Sequence, residues 1–163
     1  MAVFRFRLQP ILEQREEARE EAAKQLAQKQ KELQAAKDTL AELEGKEKGL
    51  TQKREDLRKE MATADKVLSA EQIRQKLVYI RAVTQDRETA RDNVLAQKME
   101  AADCEDRLRD AQKSLIDAQR AVEILRKYRD RLKARFDREA EQKEALEQDE
   151  IGNMLFMSRR ERS

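Results

Sequence analysis

Leu26-Ala27-Gln28-Lys29-Gln30-Lys31-Glu32-Leu33-Gln34-Ala35-Ala36-Lys37-Asp38-Thr39-Leu40 places a leucine at every seventh residue. A seven-residue repeat of this kind is the mark of a helix that buries one narrow stripe against another helix. With Leu26, Leu33 and Leu40 at heptad position a, Leu43, Leu50 and Leu57 fall at d. The frame runs unbroken from Leu8 to Leu68, and 13 of its 18 a and d positions are apolar. Arg15, Arg19, Lys29, Glu47 and Arg54 are the exceptions. Their long stems can lie along the seam while the charged heads reach water, and they fix its register at some cost in stability.

A second frame starts at Ile73. Its a positions include Ile73, Ile80, Val94, Ala101, Leu108, Leu115, Val122 and Phe136, and its d positions include Val83, Ala90, Cys104, Ala111, Ala118, Leu125 and Leu132. Between Ile73 and Phe136, 15 of 19 seam positions are apolar. The small d residues in the middle allow close approach of a partner helix, and a strict seven-residue repeat implies left-handed supercoiling.

The phase breaks between the frames, at Val67-Leu68-Ser69-Ala70-Glu71-Gln72. Ser69 with Gln72 three residues later is a capping-box pattern, so a helix starts there. Gly45 and Gly49 form the competing break. Because the heptads pass through Leu43 and Leu50 without slipping, a locally weak but continuous helix is expected. Pro10 belongs to the first turn of that helix, where its missing N–H is harmless. The expected fold is all-α: a long antiparallel two-helix coiled-coil hairpin forming a single elongated domain over residues 1–163. Helix one spans about 11–66, the turn about 66–70, helix two about 70–150 and a tail 151–163. Gly152 and Asn153 are expected to end helix two. At 1.5 Å per residue the shared part would measure about 80–90 Å, with both chain ends at one tip and residues beyond about 137 overhanging helix one.

Composition agrees with this reading. Of 163 residues 43% are charged and 4% aromatic, and there are three Gly and one Pro. Leu, Ile, Val and Phe together number 33, too few for a large compact core. A net charge of +2 argues against bulk attraction to nucleic acid. Arg126 to Arg138 has no interleaved aromatics for base stacking and lies beside acidic residues that repel phosphate. No run approaches the length and apolarity of a membrane span, and the N-terminus lacks the apolar core of a cleavable signal.

Catalytic chemistry is sparse. There is no His, no Gly-rich phosphate loop and no nucleophile elbow, and the carboxylates are scattered among Lys and Arg. The expectation is no enzyme, no cofactor and no metal. Cys104, the single cysteine, reads as a small buried seam residue.

Three features exceed what a bare coiled coil needs. Leu77, Val78 and Tyr79 occupy e, f and g near the turn, which directs Val78 away from the partner helix and makes it a candidate contact. Residues 126–138 carry a net charge of +5 and residues 139–150 a net charge of −5. The ends bring Phe4 and Phe6, and Met154, Leu155, Phe156 and Met157, to one tip as candidates for docking.

The ends also carry a resemblance. Phe4-Arg5-Phe6-Arg7-Leu8-Gln9-Pro10-Ile11-Leu12 followed by Arg15-Glu16-Glu17 resembles the opening of the FliJ family. Arg138 to Ile151, with Lys143, Asp149 and Glu150, is similar to that family's closing pattern. The resemblance implies a component of the flagellar type III export apparatus: a coiled coil like the central stalk of a rotary ATPase, cytoplasmic and peripheral to the inner-membrane apparatus. It would sit in the pore of a hexameric export ATPase, reach the export gate membrane protein and assist export chaperones. The ATPase-facing end would then comprise Phe4, Phe6, Leu8, Ile11, Leu12, Arg15, Lys143, Asp149 and Glu150. The gate-facing tip, inferred from exposure alone, would present Val78 and Tyr79. A related injectisome stalk and a generic dimeric coiled-coil scaffold are the alternatives.

Overall fold

The computed structural model describes residues 3–64 and 68–160. Among them α1 runs Gln9–Ala64 and α2 runs Ala70–Arg160, 56 and 91 residues long, with no strand. The two helices pack against each other, so the expected all-α hairpin is what forms. Of the turn expected at 66–70, residues 66 and 67 lie outside the described residues, Leu68 and Ser69 are non-helical, and Ala70 opens α2.

Contacts group the chain into two compact units, one of Met1–Ala22 with Leu115–Ser163 and one of Ala23–Ser114. In the second unit Lys98 pairs with Glu44 at 3.2 Å and Lys37 with Glu105 at 3.0 Å. Seven residues back along α1 thus meet seven residues forward along α2, which is one heptad of antiparallel pairing. The first unit keeps the same register, with Glu16 against Arg126.

Burial tests the heptads directly. Among the described seam positions of the first frame only Arg15 is exposed, and every seam position from Ile73 to Phe136 is buried or half-buried. The best-shielded side chains are small or branched: Leu12, Ala36, Val83, Val94, Ala101, Cys104 and Val122. Ala36, Ala101 and Cys104 touch one another with Leu33 alongside, the close layer expected from small d residues. Gln97 Nε2 uses that proximity to donate to the Ala36 carbonyl oxygen at 3.1 Å.

Polar seam residues behave as long stems do. Lys29 turns its ammonium to Glu32 at 2.8 Å, and Gln28 also donates to Glu32 at 3.3 Å. These hydrogen bonds, that of Lys29 first, lower the Glu32 pKa below the ordinary carboxylate value. Arg54 and Arg87 are less well served. Each has Nε shielded from solvent with no hydrogen-bond partner, and neither makes an ion pair among the described residues.

The helix ends follow the local chemistry. Ser69 N–H donates to Gln72 Oε1 at 3.0 Å while Gln72 N–H donates to Ser69 Oγ at 3.3 Å, the two halves of a capping box. Helix one begins at Gln9, two residues before the expected start, because the Leu8 carbonyl already accepts from Leu12 N–H at 2.9 Å and Pro10 needs no partner.

At the other end the expectation fails: α2 does not stop near residue 150 but continues through Gly152 and Asn153 to Arg160. A glycine ends a helix by adopting a left-handed conformation, and no residue of the described chain has positive φ. The Met154-Leu155-Phe156-Met157 run that follows favours continuation.

Gly45 and Gly49 lie inside the continuous α1, and a Cβ built on either would meet nothing within 4 Å. Gly45→Ala and Gly49→Ala are each expected to raise stability by about 0.5–1 kcal/mol, since alanine removes backbone freedom from the unfolded chain without a clash. Urea unfolding followed by circular dichroism measures this; a lower midpoint in either variant would mean that α1 bends there.

Candidate functional site

The residues ahead of α1 form an arm rather than another turn of helix. Val3–Leu8 is non-helical, and Gln9 N–H donates back to the Phe6 carbonyl at 3.1 Å. Phe4 and Phe6 are half-buried, whereas Arg5 and Arg7 are exposed. Phe4 stacks tilted on Phe136 with ring centroids 5.7 Å apart, and Phe6 on Tyr128 at 6.2 Å. Such tilted pairs add about 0.5–1.5 kcal/mol each to the area they bury.

This aromatic clasp went unread in the sequence. Its signal was the Phe-Arg-Phe-Arg alternation opposite Phe136 and Tyr128, legible only once the antiparallel register was known. It also corrects the expectation that Phe4 and Phe6 gather with Met154–Met157. Eighteen residues separate Phe136 from Met154, about 27 Å along a helix.

The expected ATPase-facing residues therefore divide. Phe4, Phe6 and Leu8 are half-buried by the clasp, Ile11 and Arg15 are exposed, and Leu12 is 1% exposed. Leu12 contributes by packing and offers no surface. Lys143, Asp149 and Glu150 stand on a stretch of α2 in which all residues from 141 to 158 are exposed.

Charge is concentrated where the arm docks. Arg126 donates through Nε and Nη2 to Glu16 Oε1, and Arg129 is engaged by Asp130. Among the described residues Arg5, Arg7, Arg131, Lys133, Arg135 and Arg138 make no ion pair, and all six are exposed. The arm thus adds cations beside the basic segment of α2, and together they can receive an acidic surface.

Near the capping box, Leu77, Val78 and Tyr79 are 44%, 65% and 45% exposed. Nothing among the described residues covers Val78, in keeping with its f position. Lys53 Nζ sits 5.2 Å from the centre of the Tyr79 ring, a cation–π contact that orients the phenol. Leu57, Leu68 and Tyr79 line a shallow cleft of about 320 Å³ beside it.

Cys104 is buried in the seam, 5% exposed. Burial pushes its thiol pKa up, and the Glu100 carboxylate, which accepts from Sγ at 3.6 Å, pushes it the same way. The native thiol is expected to react with iodoacetamide at neutral pH at least tenfold more slowly than in the urea-unfolded chain. Equal rates would show that the seam opens there.

Among the described residues there is no group of three or more His, Cys, Asp or Glu that could hold a metal ion. Among the described residues no helix is long and apolar enough to cross a membrane.

The sequence profile of the YscO-like proteins matches residues 3–162. The chain belongs to the YscO-like family. Membership makes it a type III secretion-related protein, the class that the FliJ-like terminal patches also indicated, although the family reached is YscO-like. Its fold is shared with a solved structure described as that of a YscO homologue, CT670 from Chlamydia trachomatis. The two have a TM-score of 0.80 at 20% identity, over 99% of this chain and 100% of that one. No curated protein matches the sequence. In this member of the YscO-like family, then, the candidate surfaces are the armed basic segment, the unpaired end of α2 and the Leu77–Tyr79 patch.

Proposed function

We propose that this protein is a stalk-like, non-enzymatic component of a type III secretion export apparatus, engaging a hexameric export ATPase through the unit that carries the chain ends. The family match over residues 3–162 carries this reading. The unpartnered cations of the arm and of α2 support it, since a ring of subunits with acidic inner surfaces would hold such a segment without a large apolar interface. The Val78–Tyr79 patch is the candidate contact for the cytoplasmic domain of an export gate protein, and export chaperones are further partners. The protein would act in the cytoplasm, at the inner-membrane apparatus. The YscO-like match accords with an injectisome at least as well as with a flagellum, whose support is the FliJ-like pattern at the two ends.

Deleting residues 1–8, or truncating after Asp149, is expected to weaken binding to the cognate export ATPase at least tenfold with helical content largely kept, because the arm is non-helical and α2 is unpaired beyond residue 149. Val78→Asp with Tyr79→Ala is expected to spare ATPase binding and weaken gate binding. Unchanged ATPase affinity in both deletions would refute the assignment of the terminal end. Loss of both partners in the double substitution would point to damage to the fold.

A further inference from the structure

The seam of α2 uses heptad positions a and d, and burial stops at Ala140. A different heptad series continues past that point. Positions c and g run from Ile124 and Tyr128, through Arg131, Arg135, Arg138, Gln142 and Ala145, to Asp149, Gly152 and Phe156, and every one is exposed. They lie on one stripe of the helix because seven residues span nearly two turns.

The stripe is self-complementary when reversed. If a second α2 lies antiparallel with a two-fold axis at residue 140, each c position meets a g position of the other copy. Ile124 then faces Phe156, Tyr128 faces Gly152, and Arg131 faces Asp149, each contact occurring twice. Ile124 and Phe156 are 67% and 66% exposed, so both offer apolar area now in water. Arg131 and Asp149 are eighteen residues apart, five full turns, so they share one line along the helix. Neither makes an ion pair among the described residues, and Gly152 leaves room for a ring.

The wider charge pattern agrees with this register. Reversal about residue 140 sets the net +5 of residues 126–138 over residues 142–154 of the other copy, whose net charge is −3, and the converse. A parallel, in-register pairing would instead set like charge on like. A single helix that is exposed on every side over residues 141–158 also lacks the tertiary packing that ordinarily sustains helices in water.

We infer that the exposed c/g stripe of α2 between Ile124 and Phe156 is a self-association surface, which takes the same stripe of a second copy of this chain in an antiparallel, two-fold symmetric pair. Isologous pairing of this kind needs one self-complementary patch and closes at two copies. It leaves the intramolecular seam intact, because a and d stay shielded against α1 as far as Phe136 and the stripe uses neither. It rests on nothing in the ATPase reading.

Sedimentation equilibrium of the full chain without ATPase tests it. At tens of micromolar and low salt the mass is expected near twice 19.1 kDa, falling toward the monomer as salt screens the charge blocks. Arg131→Glu is expected to weaken association at least tenfold, and so is Asp149→Lys. Both residues are exposed, so far-UV circular dichroism should be unchanged. An equimolar mixture of the two variants is expected to dimerise again, because each then presents the charges that the other lost. A monomer at all concentrations, dimers indifferent to both charge reversals, or a mixture that stays monomeric would each overturn the inference.

Discussion

Leu12→Ala is expected to destabilise the unit that carries the chain ends by about 3 kcal/mol, within the range of about 2–5 kcal/mol for buried leucine truncations. Leu12 is 1% exposed, one of the two largest fully buried side chains, and lies in a seam with few large residues to close over a cavity. Its amide also makes the first hydrogen bond of α1, so loosening it frees the base of the arm. Ile11, next to it but 43% exposed, is the control; Ile11→Ala is expected to cost less than about 1 kcal/mol. Tyr79→Phe leaves Tyr128 as the sole tyrosine, and Tyr128 stacks on Phe6, so its fluorescence reports this unit during urea unfolding. A loss below 1 kcal/mol for Leu12→Ala would contradict the seam packing.

Arg54→Leu combined with Arg87→Leu is expected to act in the opposite direction, raising stability by about 2–4 kcal/mol. The register set by Glu44–Lys98 places Arg54, ten residues on, in the same layer as Arg87, eleven residues back. Two like charges therefore share one layer of an apolar stripe, and each carries a shielded Nε with no partner. Leucine at both sites replaces repulsion and an unmet donor with packing. The gains should not add. The first substitution relieves the repulsion, so the second contributes only its own burial. Thermal unfolding of both single variants and the double variant measures this coupling. A lower melting temperature in the double variant would mean that the arginines are held by partners in solution.

Periodicity made most of the fold legible because a seven-residue repeat has few physical solutions. Apart from Arg15, the described positions placed on the stripe from Leu26 and Ile73 alone are buried or half-buried, down to Cys104, and the Ser69–Gln72 cap formed as written. The misjudged elements depended on facts that periodicity does not carry. Gly152 marks a helix end only if the chain turns left-handed there, and an apolar run that favours helix overrode it. Phe4 and Phe6 were correctly singled out, but their partners Phe136 and Tyr128 lie over a hundred residues away and depend on register.

The candidate surfaces were legible to different degrees. Val78 at an f position had to face outward, and it does. The nine residues carried over for the ATPase-facing end had no such constraint, and they separate into a clasp, a core leucine, two exposed residues of α1 (Ile11 and Arg15) and an unpaired helix.

The most direct test of the stalk role is the stoichiometry and contact map of the complex with the cognate export ATPase, read by native mass spectrometry with photo-crosslinkers placed at Arg135, Lys143 and Val78. A stalk gives one chain per six ATPase subunits, with crosslinks to the ATPase from Arg135 and Lys143 and none from Val78. One chain bound to every subunit, or ATPase crosslinks from Val78 alone, would contradict it.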